Sequence, residues 1–230
     1  MNRRIKKLLA LAVGVPTFAV ALVGLGHTPA ARPLLAKLGF RYGCPVNVDN
    51  VTPKALEEQR VAQMRQMRGD KPAAAHPALR FQLDQSTKAQ VLAWSHEQNV
   101  ACVEELKGAA LRCTAVREAA LEDAEIGAPI DDVFLRFEPG GKLVGMDVMR
   151  LNVSLEQAVR VVDGTSTRLT ADVGPPTSTE GTATPDYIGS EPFRRVGFQY
   201  RFSNYAADIS ATNLANRGVV VREQYWSIPD

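Results

Sequence analysis

The stretch that decides the fold lies near the C-terminus and reads FRRVGFQYRFS, residues 193–203. Its apolar side chains occupy every second position from Val196 to Phe202, a period that is typical of a strand with one buried face. Two further alternating segments follow, near 205–211 and 219–226, and turns that contain Asn separate the three. The pattern predicts an antiparallel meander of three strands.

The preceding residues show the same order of elements. A helix capped by Ser86 or Thr87 extends to about Asn99, and strand candidates follow at 109–116, 132–137 and 142–151. A capping box of Ser154 and Gln157 then begins a second helix. We predict an α+β fold with an antiparallel sheet of about six strands, possibly two helix–three-strand repeats. Its helices pack on one face, and an N-terminal transmembrane helix precedes it.

The polar side chains of the meander form the candidate binding site. They face away from the apolar side chains, because successive residues of a strand point to opposite sides. Arg and Trp are enriched among the residues that carry binding energy in interfaces. Two interpretations stay open, a binding face and a solvated outer face, and Asp208 on this face can pair with Arg201 or Arg222. The candidate binding residues are Arg195, Gln199, Arg201, Arg222 and Trp226.

One part of the chain resembles a known family. The segment SLEQAVRVV, then VGPPTSTEG, then an alternating strand is similar to small envelope proteins of the outer-membrane assembly lipoprotein type and to the two-repeat β-lactamase inhibitor protein. The chain departs from the assembly lipoproteins because it has no lipobox. The resemblance implies protein–protein binding by the sheet rather than catalysis. The matching residues are Ser154, Gln157, Val173, Gly174, Pro175, Pro176, Thr177 and Gly181.

The N-terminus predicts export. Residues 1–43 contain seven basic residues and no acidic one, whereas residues 44–230 contain 20 basic and 25 acidic residues and have a net charge of −5. The acidic body argues against nucleic-acid binding, which needs a basic face. The apolar stretch 8–26 follows four basic residues and spans about 29 Å as a helix, close to the thickness of a bilayer. We predict a single-pass protein of the bacterial inner membrane whose C-terminal domain lies in the periplasm.

A cleaved signal peptide is the alternative for the same residues. Leu8–Phe18 would form its apolar region and Ala19-Val20-Ala21 its cleavage site, which would leave a secreted or periplasmic protein. The predicted division of the chain is 1–26 as signal anchor or signal peptide, 27–78 as juxtamembrane segment, and 79–230 as exported domain. The juxtamembrane segment includes a helix that Thr52 and Pro53 begin and a Pro/Ala linker at 70–79, in which His76 is expected to be solvent-exposed.

The cysteines fit an oxidising compartment. Cys102 and Cys113 are eleven residues apart, the first after a predicted helix and the second in a predicted strand. We predict a disulfide between them, and two buried thiols are the alternative. Cys44 is then the unpaired cysteine, either free or bonded to another chain.

Known catalytic and cofactor motifs are absent from the sequence, including the P-loop, G-x-S-x-G and H-E-x-x-H. His96 is the only His beside an acidic residue, and a helix-surface position is expected for it. We therefore predict no catalytic residues, no metal and no cofactor. The predicted function is a non-catalytic, membrane-anchored envelope protein that binds a protein partner through its sheet. A structural stalked domain without a ligand and an uncharacterised envelope enzyme are the alternatives.

Overall fold

The computed structural model describes residues 52–121, 128–215 and 217–229. A short ribbon pairs β1 (Pro77–Ala78) with β2 (Phe81–Gln82). The main sheet has eight strands: β3 (Ala101–Glu105), β4 (Ala110–Val116), β5 (Ile130–Phe137), β6 (Leu143–Val153), β7 (Ser178–Glu180), β8 (Arg195–Arg201), β9 (Tyr205–Leu214) and β10 (Gly218–Ser227). The helices are α1 (Pro53–Arg65), α2 (Lys88–Glu97), α3 (Glu118–Leu121), α4 (Leu155–Val173) and α5 (Pro185–Gly189).

The eight-stranded sheet is antiparallel throughout and has the order β3-β4-β5-β6-β10-β9-β8-β7. Strands β3 to β6 run in chain order from one edge of the sheet to its centre. Strands β7 to β10 run in chain order from the other edge to the centre, where β10 pairs with β6. The predicted α+β class with an antiparallel sheet is confirmed. The predicted number of about six strands is too small, because each half carries one further edge strand, β3 and β7.

The two main helices, α2 and α4, begin at the capping residues that the sequence predicts. The Thr87 hydroxyl accepts from the Gln90 N–H at 3.3 Å, and the Gln90 side chain accepts from the Thr87 N–H at 2.8 Å. Ser154 and Gln157 form the same reciprocal pair at 3.2 and 2.9 Å. Both capping boxes are therefore complete, and each satisfies two N–H groups that the first turn of a helix leaves without a partner.

The core lies between the apolar face of the sheet and the helices α2 and α4. Val91 and Trp94 of α2 and Val161 and Leu169 of α4 are buried against strand residues such as Val133. Fully burying one such aliphatic side chain stabilises the fold by about 1.5–3 kcal/mol. The core face also contains a charged pair that the sequence did not indicate, Arg150 and Glu223, both without exposed surface.

Helix α1 packs on the opposite, polar face of the sheet. Met64 forms a small buried cluster with Ala206 and Ile228, and Met67 and Trp226 pack against that cluster. Ala206 and Trp226 are directly paired across β9 and β10, on the face away from the main core. The helices predicted for the domain, α2 and α4, share one face as expected, whereas α1, which was predicted as part of the juxtamembrane segment, packs on the other face through its few apolar residues.

The segment predicted as a Pro/Ala linker is folded against the sheet. Ala73 and Ala78 belong to the main core, and the Ser203 N–H donates to the Lys71 carbonyl at 2.8 Å. The expected solvent exposure of His76 is also wrong, because its ring stacks on Tyr205 with centroids 5.7 Å apart and its Nδ1 lies 2.8 Å from the Asp84 carboxylate.

The predicted disulfide between Cys102 and Cys113 is present. The two residues are directly opposite partners in the register of β3 and β4, with Cα atoms 4.1 Å apart. Cys102 thus lies in an edge strand rather than immediately after the helix. The bond ties that edge strand to its neighbour.

The predicted anchor or signal peptide at 8–26, the segment 27–50 and Cys44 lie outside the described residues. Among the residues that the structure does describe, no helix combines the length and apolar character that a membrane span requires.

Candidate binding groove

The strand register brings the predicted site residues to one face of the sheet. Arg201 lies opposite Ala206, and Ala206 lies opposite Trp226. Gln199 lies opposite Asp208, and Arg222 lies opposite Ser210 on the neighbouring strands. Arg195 continues the same face at the other end of β8. Arg222 is exposed, and the other four predicted residues are partly buried.

The predicted residues do not form a single cluster. Arg201 makes an ion pair with Asp208 at 2.6 Å, which is one of the two pairings expected for Asp208. Arg195 lies 3.6 Å from Glu180. These residues and Gln199 lie on the half of the face formed by β7, β8 and β9. Only Arg222 and Trp226 of the predicted set border the cavity described next.

A groove of about 290 Å³ lies between α1 and the polar face of β5, β6 and β10. An adjoining cavity of about 200 Å³ shares Phe134, Asp147 and Arg222 with it, so the groove continues along the strands. The groove is lined by Arg60, Gln63, Met64, Phe134, Arg136, Gly145, Met146, Asp147, Arg222, Gln224 and Trp226. Arg112, Asp132 and Met149 complete the adjoining cavity.

Three residues in one row across the sheet shape the groove. Arg136 pairs with Gly145, and Gly145 pairs with Trp226. The two outer side chains stand on strands that are two spacings apart, about 10 Å. Gly145 places no side chain between them. A Cβ atom built there would lie 3.6 Å or more from its neighbours, which is ordinary contact, so the backbone does not require glycine.

Arg136 is the cation of the groove that no carboxylate neutralises directly. Among the described residues its side chain has no hydrogen bond and no carboxylate within 4.0 Å, and its guanidinium lies over the Phe134 ring, 5.7 Å from the centroid. Arg112 lies over the same ring at 5.6 Å. Burial lowers the pKa of Arg136, and the positive charge of Arg60 lowers it further. The site therefore holds a partly desolvated positive charge beside an aromatic ring.

The neighbouring arginines, by contrast, are already paired. Arg60 contacts Glu57 through two hydrogen bonds at 2.8 and 2.7 Å and donates to the Ser227 carbonyl at 2.8 Å. Arg222 forms an ion pair with the Asp147 carboxylate, and the hydrogen bond to Asp147 raises the pKa of Arg222 by more than partial desolvation lowers it. The Gln224 side chain donates to the same carboxylate at 3.0 Å. These contacts fix the walls of the groove.

Sequence reasoning missed most of the groove, although one signal was present. The alternation that puts Val133, Leu135 and Phe137 on the core face also puts Phe134 and Arg136 on the polar face. The rule does not extend across the hairpin to Gly145, because an irregularity between Arg136 and Phe137 shifts the register there. The contribution of α1 could not be read this way, because nothing in its sequence states which face it covers.

The chemistry of the groove suits recognition of a carboxylate. A planar guanidinium with free N–H donors matches a carboxylate with two oxygens, and the aromatic and thioether side chains nearby match apolar groups. Within the residues that the structure describes, no group of three or more His, Cys, Asp or Glu side chains is placed to hold a metal ion.

Comparison with protein-family models, with curated proteins and with solved structures found no match to this chain. The resemblance to outer-membrane assembly lipoproteins and the β-lactamase inhibitor protein therefore stays a prediction.

Proposed function

We propose that the chain is a non-catalytic envelope protein that binds a protein partner through the polar face of its sheet. Residues 8–26 anchor it in the bacterial inner membrane, and the domain lies in the periplasm. The observation that carries the proposal is the groove beneath α1, where Arg136 has no carboxylate partner among the described residues. A carboxylate partner is present for each of Arg60, Arg112, Arg195, Arg201 and Arg222.

The groove supports binding better than an exclusively structural role. A solvated outer face has no need of a helix that crosses it, yet α1 covers this face with Met64 and leaves a cavity beside it. The position of Arg136 is costly for a purely structural residue, since burial of its charge is compensated only by the Phe134 ring and by acids at longer range. An acidic surface of a partner would supply the missing counter-charge.

A photo-crosslinking amino acid at Gln224 of the full-length chain in living cells tests this proposal. Gln224 lines the groove, whereas Thr212 lies on the same face in β9 and outside the groove. We expect a discrete protein adduct from position 224 and none from position 212. The adduct is expected to disappear when Gly145→Val fills the groove.

Gly197→Val is the matched control for that substitution. Gly197 also lies on the polar face, and a Cβ atom there would meet its nearest neighbour at 3.7 Å. We expect this variant to keep the adduct. Adducts that form equally from both positions, or that survive Gly145→Val, would contradict the proposal and favour a structural stalked domain.

A further inference from the structure

We infer that the notch formed by Arg136, Gly145 and Trp226 receives the side-chain carboxylate of an Asp or Glu from within a partner protein, with apolar residues on either side of it. This inference rests on the proposed function and specifies the chemistry that the groove recognises. In the notch, Arg136 supplies an unpaired hydrogen-bond donor, Gly145 leaves space because it has no side chain, and Trp226 supplies apolar surface.

Arg136 is the expected donor to the ligand because the neighbouring arginines already have carboxylate partners. Arg60 is paired with Glu57 and the Ser227 carbonyl, and Arg222 is paired with Asp147. Of these three guanidinium groups, only that of Arg136 has neither a hydrogen-bond acceptor nor a carboxylate partner among the described residues. Stacking on Phe134 limits the rotation of its guanidinium. A guanidinium held in place loses less conformational freedom when it binds a carboxylate.

The apolar wall explains why a carboxylate alone is not the full ligand. Trp226 is partly buried and packs beside the buried Met64, and both line the groove, so they offer apolar surface at the side of the notch opposite Arg136. Gly145 leaves the space between them open, and the groove volume of about 290 Å³ exceeds that of one carboxylate. Aliphatic or aromatic residues next to the acidic one would fill it.

The shape of the groove favours an internal residue over a chain end. The adjoining cavity continues from the groove through Phe134, Asp147 and Arg222 to Asp132. From the row of Arg136 to the row of Asp132 is four residues along β5, about 14 Å. A segment that places its acidic side chain on Arg136 can therefore continue along the groove, with room for about four extended residues.

The test uses degenerate peptides with blocked ends and the purified full-length chain in mild detergent. One pool has the composition acetyl-XXX-Glu-XXX-amide and the other acetyl-XXX-Gln-XXX-amide, where X is any residue except Asp, Glu and Cys. Peptides retained by the immobilised chain are identified by mass spectrometry. We expect the Glu pool to be enriched at least tenfold over the Gln pool, with Leu, Met or aromatic residues favoured beside the Glu.

Three variants locate the binding. Arg136→Gln and Gly145→Val are each expected to lower retention of the Glu pool about tenfold or more, the size of effect seen when a charged hydrogen bond is lost. Arg194→Gln changes an arginine that pairs with Glu191 outside the groove and is expected to leave retention unchanged. Circular dichroism confirms that each variant is folded, and Arg136→Lys is used if Arg136→Gln fails to fold.

The remaining outcomes overturn the inference in distinguishable ways. Equal retention of the two pools, or no retention, would show that the notch does not select an internal carboxylate. Stronger retention of peptides with a free C-terminus and no Glu would assign it to a chain end. Competition by acetate alone at the same concentration would assign it to a small anion. In each case the adduct from position 224 would still decide the proposed function independently.

Discussion

The buried ion pair between Arg150 and Glu223 offers a sharp test of how the core is held together. Neither side chain has exposed surface. Besides Arg150, the Glu223 carboxylate accepts from the Tyr225 hydroxyl at 2.7 Å and from the Thr165 hydroxyl at 3.4 Å. Substitution Glu223→Ala removes the acceptor of all three groups and leaves the guanidinium of Arg150 inside the core.

The expected loss follows from the surroundings of Arg150. Removing one partner of a buried pair costs about 3–5 kcal/mol, because the other charge stays desolvated. The contacts that Arg150 keeps in the variant include a hydrogen bond to the Ala128 carbonyl at 3.3 Å and the Glu118 carboxylate at 3.9 Å. We therefore expect the free energy of unfolding to fall by about 3 kcal/mol, the lower end of that range.

Urea unfolding of the full-length chain in mild detergent, followed by far-UV circular dichroism, measures this loss. The matched control is the double variant Arg150→Leu with Glu223→Leu, which removes both charges and keeps apolar volume. It is expected to be more stable than Glu223→Ala, since apolar replacements of a whole buried pair are often nearly neutral. A loss below about 1 kcal/mol for Glu223→Ala, or a double variant less stable than the single one, would refute the reasoning.

Four further predictions follow from the described contacts and from the N-terminal sequence. Cys113→Ser is expected to lower the free energy of unfolding by about 3 kcal/mol, the chain-entropy estimate for so short a loop, in chemical unfolding under non-reducing conditions. Burial raises the pKa of Asp84, but hydrogen bonds from His76 and Ser227 outweigh burial and lower it below the ordinary value. The ionised Asp84 carboxylate therefore stabilises the fold above its unfolded-state pKa, and this stabilisation is lost as the pH falls through the folded-state pKa. The free energies of unfolding of the wild type and of Asp84→Asn should converge below about pH 4. A difference between them that does not change with pH would contradict this prediction. Tyr200→Ala, at a site without exposed surface, is expected to cost about 3–5 kcal/mol in urea unfolding, whereas Gln199→Ala on the polar face should cost under about 0.5 kcal/mol. Finally, the full-length chain should sediment with membranes and resist salt extraction, and a soluble species that begins after Ala21 would show cleavage instead.

The sequence predicted the parts of the fold that depend on local chemistry. The capping residues Thr87 and Ser154 satisfy the backbone of the helix they begin, and the alternation in β8, β9 and β10 requires no distant contact to be recognised. For the same reason the shared face of Arg201, Arg222 and Trp226 was predictable, since the period of two fixes it once the strands are assigned.

The edge strands and the groove depend on distant residues and were missed. The sequence of β3, ACVEE, does not alternate, because an edge strand buries little of either face; its pairing with β4 is what defines it. Strand β7 is three exposed residues within a Pro- and Gly-rich segment. Arg150 and Glu223 interrupt the apolar pattern of two core strands. Their pairing could not be predicted from either strand alone, because the two residues are far apart in the sequence and each neutralises the charge of the other.

The order of the strands also constrains how the chain can fold during its synthesis. The two central strands, β6 and β10, are paired along most of their length, with Arg222 opposite Met149 and Trp226 opposite Gly145. During synthesis, about seventy further residues must emerge after β6 before its second neighbour, β10, is available, and the unpaired backbone edge of β6 is exposed meanwhile. Folding is therefore coupled to the arrival of the last strand along the chain, and non-local pairing of this kind is slow. A chaperone that shields β6 during this interval would raise the yield of the folded domain without changing its final stability.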